Sequence, residues 1–343
     1  MEEKKGITGS TLKLIAIVTM LIDHIGATLV ERTMYANGYL EAMTDQEKAV
    51  EWMMDFKNLG LYFLDMFMRL IGRIAFPIFI FLLVQGFMHT HSKAKYVLRM
   101  AIFCIIAEIP FNLAINCTLT TPYFQSVFFT LTIGLLVMWG MDTLKNKTFE
   151  GALPKILKFV SFFCFGAFFF YMFIQTIFGG ILIPLLPVKE WNVLVHPFGL
   201  DLNVPNKNFL IACVICGIIS LIVFSIVTAK KEENAVISEA LSWFPVYAGL
   251  LAGDFLMTDY AGLGVLAIVM AYIFREKKVQ SMLMTVIVLT VMNPMEATSF
   301  LDLIFVKHYN GKRGLNLKYV FYFFYPVHLL ILYLIGHFAL GVM

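Results

Sequence analysis

Apolar residues in this chain come in long unbroken runs separated by short polar breaks, and no run alternates with the two-residue rhythm of a barrel strand. Ten runs read as spans, at residues 12–30, 63–88, 96–115, 125–141, 158–178, 208–229, 237–257, 259–274, 280–292 and 319–340. A helix needs about 20 mostly apolar residues to cross a hydrocarbon core about 30 Å thick. The pattern therefore predicts an all-α, polytopic integral membrane helical bundle of about ten transmembrane helices. No internal repeat and no Ser-, Pro- or Gly-rich linker divides it, so residues 1–343 read as a single transmembrane domain.

Composition narrows the class further. Hydrophobic types make up 60% and charged types 14% of the 343 residues, with a mean hydropathy of +0.81. Soluble domains carry roughly 45–50% apolar and 25% charged residues. A cytosolic enzyme, a secreted disulfide scaffold and a disordered chain are excluded. The formal net charge of +3 gives no argument for a nucleic-acid partner. The five cysteines lie in or beside apolar runs and frame no disulfide scaffold.

Charge then sets orientation. The first apolar stretch, 12–30, is too long for a removable signal and reads as an uncleaved span with a cytoplasmic N-terminus in the cell membrane. The inside loops then hold Lys93 and Lys95, Lys145, Lys147 and Lys155, Lys230 and Lys231, and Arg275, Lys277 and Lys278. The outside loop 31–58 is net acidic, and its part from 45 to 58 reads as an amphipathic surface helix. Residues 179–207 form a long Pro-containing outer connection. One stretch disagrees: residues 293–318 fall outside by alternation, yet carry Lys307, Lys312, Arg313 and Lys318. A re-entrant piece at 294–305 would restore the count.

Ionisable groups at membrane depth are costly and mark functional sites by default. Here they are Asp23 and His24 in the first span, Arg69 and Arg73 in the second, Glu108 with Asn112 in the third, Asp254 and Asp259 at the seventh-to-eighth turn, and His328 in the tenth. Nearly all fall between the bilayer centre and the outer face, as in a polar cavity opening outward. Lys13 and His24 are eleven residues apart, about 16 Å along one helix face. A cation at the rim and an imidazole deep on the same face suit a long anionic-headed molecule such as coenzyme A. Plainer readings stand beside these. Lys13 snorkels, Arg69 and Arg73 pair with Asp65 or Glu108, and His24 or His328 is a packed interface histidine. Cys213 and Cys216 read as packing residues, and no metal site is expected.

Several ordered stretches carry a resemblance. They are Lys13 with Met20-Leu21-Ile22-Asp23-His24-Ile25-Gly26, Arg69-Leu70-Ile71-Gly72-Arg73-Ile74-Ala75-Phe76-Pro77, and Glu108-Ile109-Pro110-Phe111-Asn112. Asp259-Tyr260, Tyr309-Asn310-Gly311-Lys312-Arg313-Gly314 and Phe324-Tyr325-Pro326-Val327-His328 follow in order. Together they resemble the TraX family, and the chain is more distantly similar to acyltransferase-3 type membrane enzymes. The TraX resemblance implies acetylation of the N-terminal amine of conjugative pilin. The acyltransferase-3 similarity implies acyl-CoA taken from the cytoplasm and an acceptor modified on the far side. Those enzymes carry an arginine eleven residues before a catalytic histidine, where this chain has Lys13 and His24.

The expectation is a membrane acyltransferase that moves an acetyl group from acetyl-CoA to an amine or hydroxyl of a protein or cell-surface acceptor. His24 is the general base, Glu108 its orienting group, and Arg69 and Arg73 the stabilisers of the oxyanion or of a substrate carboxylate. His328 is an alternative base. Lys13 binds the donor, and Asp23, Asn112, Asp254 and Asp259 face the acceptor. The rival reading is a proton-coupled secondary transporter, since intramembrane Asp, Glu and His chains also serve proton relays. The absence of paired motifs between the two halves of the sequence weighs against it.

Overall fold

A computed structural model of the protein describes residues 6–174, 207–315 and 318–342, and every regular element among them is helical. The first span is α1 (Gly9–Ala36), followed by the short surface helix α2 (Gln46–Met54). Next come α3 (Phe56–Gly72) and α4 (Ala75–His89), then α5 (Lys93–Asn116) and α6 (Val127–Lys145). A peripheral pair follows, α7 (Ala152–Ile174) and α8 (Lys207–Thr228). The remainder is α9 (Glu233–Leu241), α10 (Phe244–Phe255), α11 (Ala261–Ile273), α12 (Lys278–Met292), α13 (Asp302–Lys307) and α14 (Lys318–Leu334). Among the described residues eight helices are long and apolar enough to cross a membrane, with α9 and α10 counted as one and α3 and α4 as another. The chain is an all-α polytopic membrane bundle. The long connection expected at 179–207 lies outside the described residues, apart from Lys207 at the start of α8.

Local chemistry explains the boundaries. Asp45 caps α2 by accepting from Glu47 N at 2.9 Å, and Asp55 ends that helix and caps α3 by accepting from Lys57 N at 2.8 Å. The amphipathic segment is thus shorter than expected, and the second span starts seven residues earlier, at Phe56 rather than 63. That span is also not one helix. Pro77 has no N–H to offer the carbonyl of Arg73, and the helix breaks at Arg73–Ile74 before resuming as α4. Two other spans carry wide turns. A π-turn (Gly26–Val30) follows His24 in α1, and another (Asn112–Asn116) follows Pro110 in α5. Such turns insert an extra residue and gather at functional sites.

The main apolar core joins α4, α5, α6, α10, α11 and α14 through residues such as Phe87, Leu135, Met138, Ile268 and Tyr272. A smaller one joins α1, α4, α12 and α13 through Leu12, Ile78, Phe81, Met282 and Val306.

The last basic stretch is relocated. After α12 the chain turns back through a 3-10 segment (Pro294–Leu301) and α13. Lys278 Nζ, at the start of α12, donates to Lys307 O at 3.1 Å and to Tyr309 O at 2.5 Å. Ile7 N then donates to His308 O (3.0 Å), Gly9 N to Lys312 O (2.8 Å) and Ser10 N to Arg313 O (2.9 Å). Residues 307–313 therefore lie at the same end of the bundle as the N-terminus and Lys278. They are not at the opposite end, where simple alternation had placed them. The segment 294–307 thus turns back along α12, and among the described residues the basic stretches 93–95, 145–155, 230–231, 275–278 and 307–313 gather at one end.

Two short helices set the depth of the central polar groups. α11 and α12, with 13 and 15 residues, span about 20–22 Å at 1.5 Å per residue, less than a hydrocarbon core of about 30 Å. The turns that close them, 256–260 and 293–301, therefore end inside the thickness defined by the longer helices. Irregular backbone at that depth is tolerated only when buried in protein or lining a cavity.

Candidate functional site

Four helix irregularities converge. The π-turn of α1 follows directly on His24, the α3–α4 break falls at Arg73, and the shortened ends of α11 and α12 bring in residues 256–261 and 294–301. Each releases backbone groups that a straight helix would use internally. At the first, the Thr28 hydroxyl donates to His24 O at 2.5 Å.

The two histidines that the sequence singled out meet, although 304 residues separate them. His24 Nδ1 and His328 Nε2 are 2.6 Å apart, with ring planes within 3° of parallel. His328 Nδ1 lies 2.7 Å from the carbonyl oxygen of Phe324, and a carbonyl can only accept. With one proton on each ring, His328 therefore carries its proton on Nδ1 and accepts at Nε2. The shared proton then belongs to His24 Nδ1, and the lone pair of His24 lies on Nε2. Tyr325 packs edge-on against both rings, with centroids 5.7 Å from each, and Phe324 stacks on His328 at 4.7 Å.

Beside the pair runs a chain of charges. Asp23 Oδ1 receives Arg69 Nη1 and Arg73 Nη2, both at 3.0 Å. Arg73 Nη1 reaches Glu296 Oε1 at 2.9 Å, and its Nε donates to Arg69 O at 3.1 Å. The fork of Arg73 is thus engaged along its whole length, whereas Arg69 keeps 29% of its side chain exposed. The plainer reading paired the arginines with Asp65 or Glu108; they do form ion pairs across helices, but with Asp23 and Glu296. Both guanidinium groups lie within electrostatic reach of His24, and Asp259 and Tyr260 within reach of Arg73. Gly72 makes the arrangement possible, since a Cβ there would overlap the Asp23 side chain.

Glu108 serves a different partner from the one expected. It accepts from Asn112 Nδ2 at 2.9 Å and from Ser126 N at 3.3 Å, while His24 takes His328 instead. Asn112, which is buried, spends its amide donors on Glu108 and accepts from Asn116 at 3.1 Å. Asp254 Oδ1 accepts from Gly262 N at 2.8 Å and closes the α10–α11 turn. That turn holds Met257, Tyr260 and Ala261 at positive φ, a costly backbone for non-glycine residues. It is stitched to the segment just before α6 by Gln125 N to Met257 O (3.0 Å) and Asp259 N to Gln125 O (2.8 Å). Lys13 sits apart from the cluster, near the start of α1, where residues 308–315 fold over the helix end.

The sequence thus supplied Asp23, His24, Arg69, Arg73, Asp259 and His328, which come together. It missed Glu296, which is fully buried. The available signal was a single carboxylate in an otherwise uncharged stretch, 293–301, within the segment whose side was ambiguous.

A TraX protein family model matches residues 8–247 and 203–336, which together cover nearly the whole chain. No curated protein matches, and no solved structure matches. The matched stretch includes His24, Arg69, Arg73, Glu296 and His328, and on that match the chain belongs to the TraX family.

Proposed function

We propose that this protein is a membrane-embedded acyltransferase that moves an acetyl group from acetyl-CoA to an amine or hydroxyl of an extracytoplasmic acceptor. One observation carries the reading: the relay from Phe324 O through His328 to His24 leaves the His24 Nε2 lone pair as a base. Membership of the TraX family supports a transferase at the coarse level. The clustering of the basic loops at the N-terminal end supports a cytoplasmic N-terminus in the cell membrane.

His24 Nε2 takes the proton from the acceptor N–H or O–H as that atom attacks the thioester carbonyl carbon. The resulting tetrahedral oxyanion collapses, the C–S bond breaks, and the proton passes from His24 to the departing thiolate, giving acetylated acceptor and CoA. His328 is the positioning residue that holds the ring and stabilises the transient imidazolium through the Nδ1–H bond. Arg69, with part of its side chain open, is the cation for the oxyanion or an acceptor carboxylate. Arg73, bound on both sides, holds the site together with Glu296, Asp23 and Asp259. Lys13 faces the donor phosphates about 16 Å from the base along α1. Glu108 with Asn112, and Asp254, shape the acceptor side.

The test is acetyl transfer by purified protein from labelled acetyl-CoA. His24→Ala, with an unchanged elution profile and melting temperature, is expected to lose about 10²–10⁴-fold in rate. A wild-type rate would overturn the assignment. So would the absence of concentration-dependent thermal stabilisation by acetyl-CoA combined with solute-driven proton uptake in vesicles.

A further inference from the structure

Away from the histidine pair, a cavity of about 320 Å³ lies between α7, α8 and the α9–α10 span. Its walls are Phe162 and Phe165 from α7, Phe224 and Val227 from α8, and Ala240 and Trp243. Three hydroxyls on its walls already donate within the protein, that of Thr228 to Phe224 O at 2.6 Å. Ser161 Oγ donates to Ala240 O at 2.6 Å, and the Tyr247 hydroxyl donates to Ser161 O at 3.1 Å. The walls are mostly aromatic and aliphatic and these hydroxyls are engaged, so the part of a ligand that fits there is hydrocarbon.

A void of this size does not belong to a close-packed interior, and it matches the lower end of small-ligand sites, about 300–1,000 Å³. Its exposed rim is formed by Val227, Lys231, Ala235 and Glu239. That rim lies at the end of the bundle that gathers the basic loops, next to the Lys155–Glu233 pair at 2.9 Å. Lys145 holds the Glu239 carboxylate at 3.0 Å, so Lys231, with Lys230 beside it, gives the mouth its positive charge. The α7–α8 pair meets the rest of the bundle at this level, through α9 and the Trp243–Tyr247 turn.

We propose that the cavity holds one acyl chain of an anionic diacyl phospholipid whose phosphate sits at Lys231, wedging the α7–α8 pair onto α9. The bilayer supplies the occupant, the aromatic walls take the chain, and the basic rim selects the headgroup.

Trp243 lines the cavity and reports on it directly. A protein carrying Trp52→Phe, Trp139→Phe and Trp191→Phe retains this single fluorophore and is titrated in detergent with acyl-brominated phosphatidylglycerol or phosphatidylcholine. Saturable quenching by the anionic lipid at lower concentration than by the zwitterionic one is the expected result. Lys231→Glu, which leaves the cavity intact, is expected to raise the half-saturation concentration for phosphatidylglycerol about tenfold. Ala240→Phe fills the cavity and is expected to abolish the quenching while far-ultraviolet circular dichroism and elution stay unchanged. If that variant does not fold, Ala235→Phe blocks the exposed mouth instead. Quenching that never saturates, equal response to the two lipids, or full quenching in a folded cavity-filled variant would each overturn the proposal.

Discussion

The region around His24 and the α7–α8 pair meet the same bilayer in opposite ways. Around His24, charges are held at depth by one another: Glu296, Arg73, Asp23 and Arg69 form a continuous chain, and helix breaks and π-turns supply the geometry. Along α7 from Phe159 to Ile174 and along α8 from Asn208 to Thr228 no residue carries a charge. Packing there relies on small residues against large ones. A Cβ on Gly166 would overlap the Cys216 carbonyl, one on Gly217 would come within 2.6 Å of Phe163, and Phe162 stacks on Phe224 at 5.2 Å. Ile211, Ile215, Ile218, Ile222 and Ile226 turn outward, each between 46% and 70% exposed. The difference teaches where chemistry can reside. Buried charge raises the cost of every nearby error, so substitutions around His24 are expected to cost more than those along α7 and α8.

The largest break in that contrast comes at Arg73. Removing one partner of a buried ion pair typically costs about 3–5 kcal/mol, because the remaining charges are stranded. Arg73→Met leaves Glu296, fully buried, and Asp23 without their shared cation. A loss of that size in denaturant unfolding is expected, together with loss of acetyl transfer. Pairing it with Glu296→Gln is expected to recover part of the stability, and a strictly additive double variant would show that the bridge is not coupled.

Gly72→Ala is next. Its methyl group would occupy the space of the Asp23 side chain, where α1 packs against α3. Overpacking of this kind costs about 1–3 kcal/mol, and here it also pushes Asp23 from its two arginines. The counterpart on the peripheral pair, Gly166→Ala, meets an equally close contact, with the Cys216 carbonyl and the Ser220 side chain rather than with a charged group. Both variants are expected to lower the melting temperature, and only Gly72→Ala to lower transfer activity in the fraction that remains folded.

His328 is a subtler probe. His328→Leu removes the acceptor for His24 Nδ1–H, and a decrease in kcat of about tenfold is expected, corresponding to roughly 1.4 kcal/mol of transition-state stabilisation. His328→Gln can present a carbonyl oxygen to the same proton and is expected to restore part of that loss. A leucine variant with unchanged kcat and pH profile would assign His328 to packing alone.

The two regions were also unequally legible in the sequence. Spans follow from hydropathy because the bilayer demands length and apolarity of every crossing helix, and α7 and α8 express little else. The α3–α4 break stayed hidden inside the continuous apolar run 63–88, although Pro77, whose missing N–H acts four residues upstream at Arg73, carries its signal. The excess of lysine and arginine in 307–313 pointed to the re-entrant turn, because basic loops gather on one side. The partners of His24 and Arg73 were not readable. His328 lies 304 residues away and Glu296 lies 223 residues from Arg73, and helical periodicity carries no information across such distances. Glu108 and Asn112, four residues apart, share one helix face and pair there. The i, i+4 hydrogen bond they make uses the carboxylate that had been assigned to His24.

The smallest effect tests the quiet side of the comparison. Cys213 and Cys216 have the spacing of a metal or redox pair, yet both thiols are free and partly buried on the face that α8 turns toward α7. The close approach of Gly166 is to the Cys216 carbonyl, which any residue supplies. Replacing both cysteines with alanine removes two small apolar groups and favours helix slightly, since alanine has the higher propensity. The expected outcome is a melting temperature and a transfer rate close to those of the parent, with stability changed by no more than about 0.5 kcal/mol, as for substitutions away from special features. A large fall in transfer rate with stability intact would mean that α8 reaches the reaction. The division between the charged cluster around His24 and the uncharged stretches of α7 and α8 would then have to be abandoned.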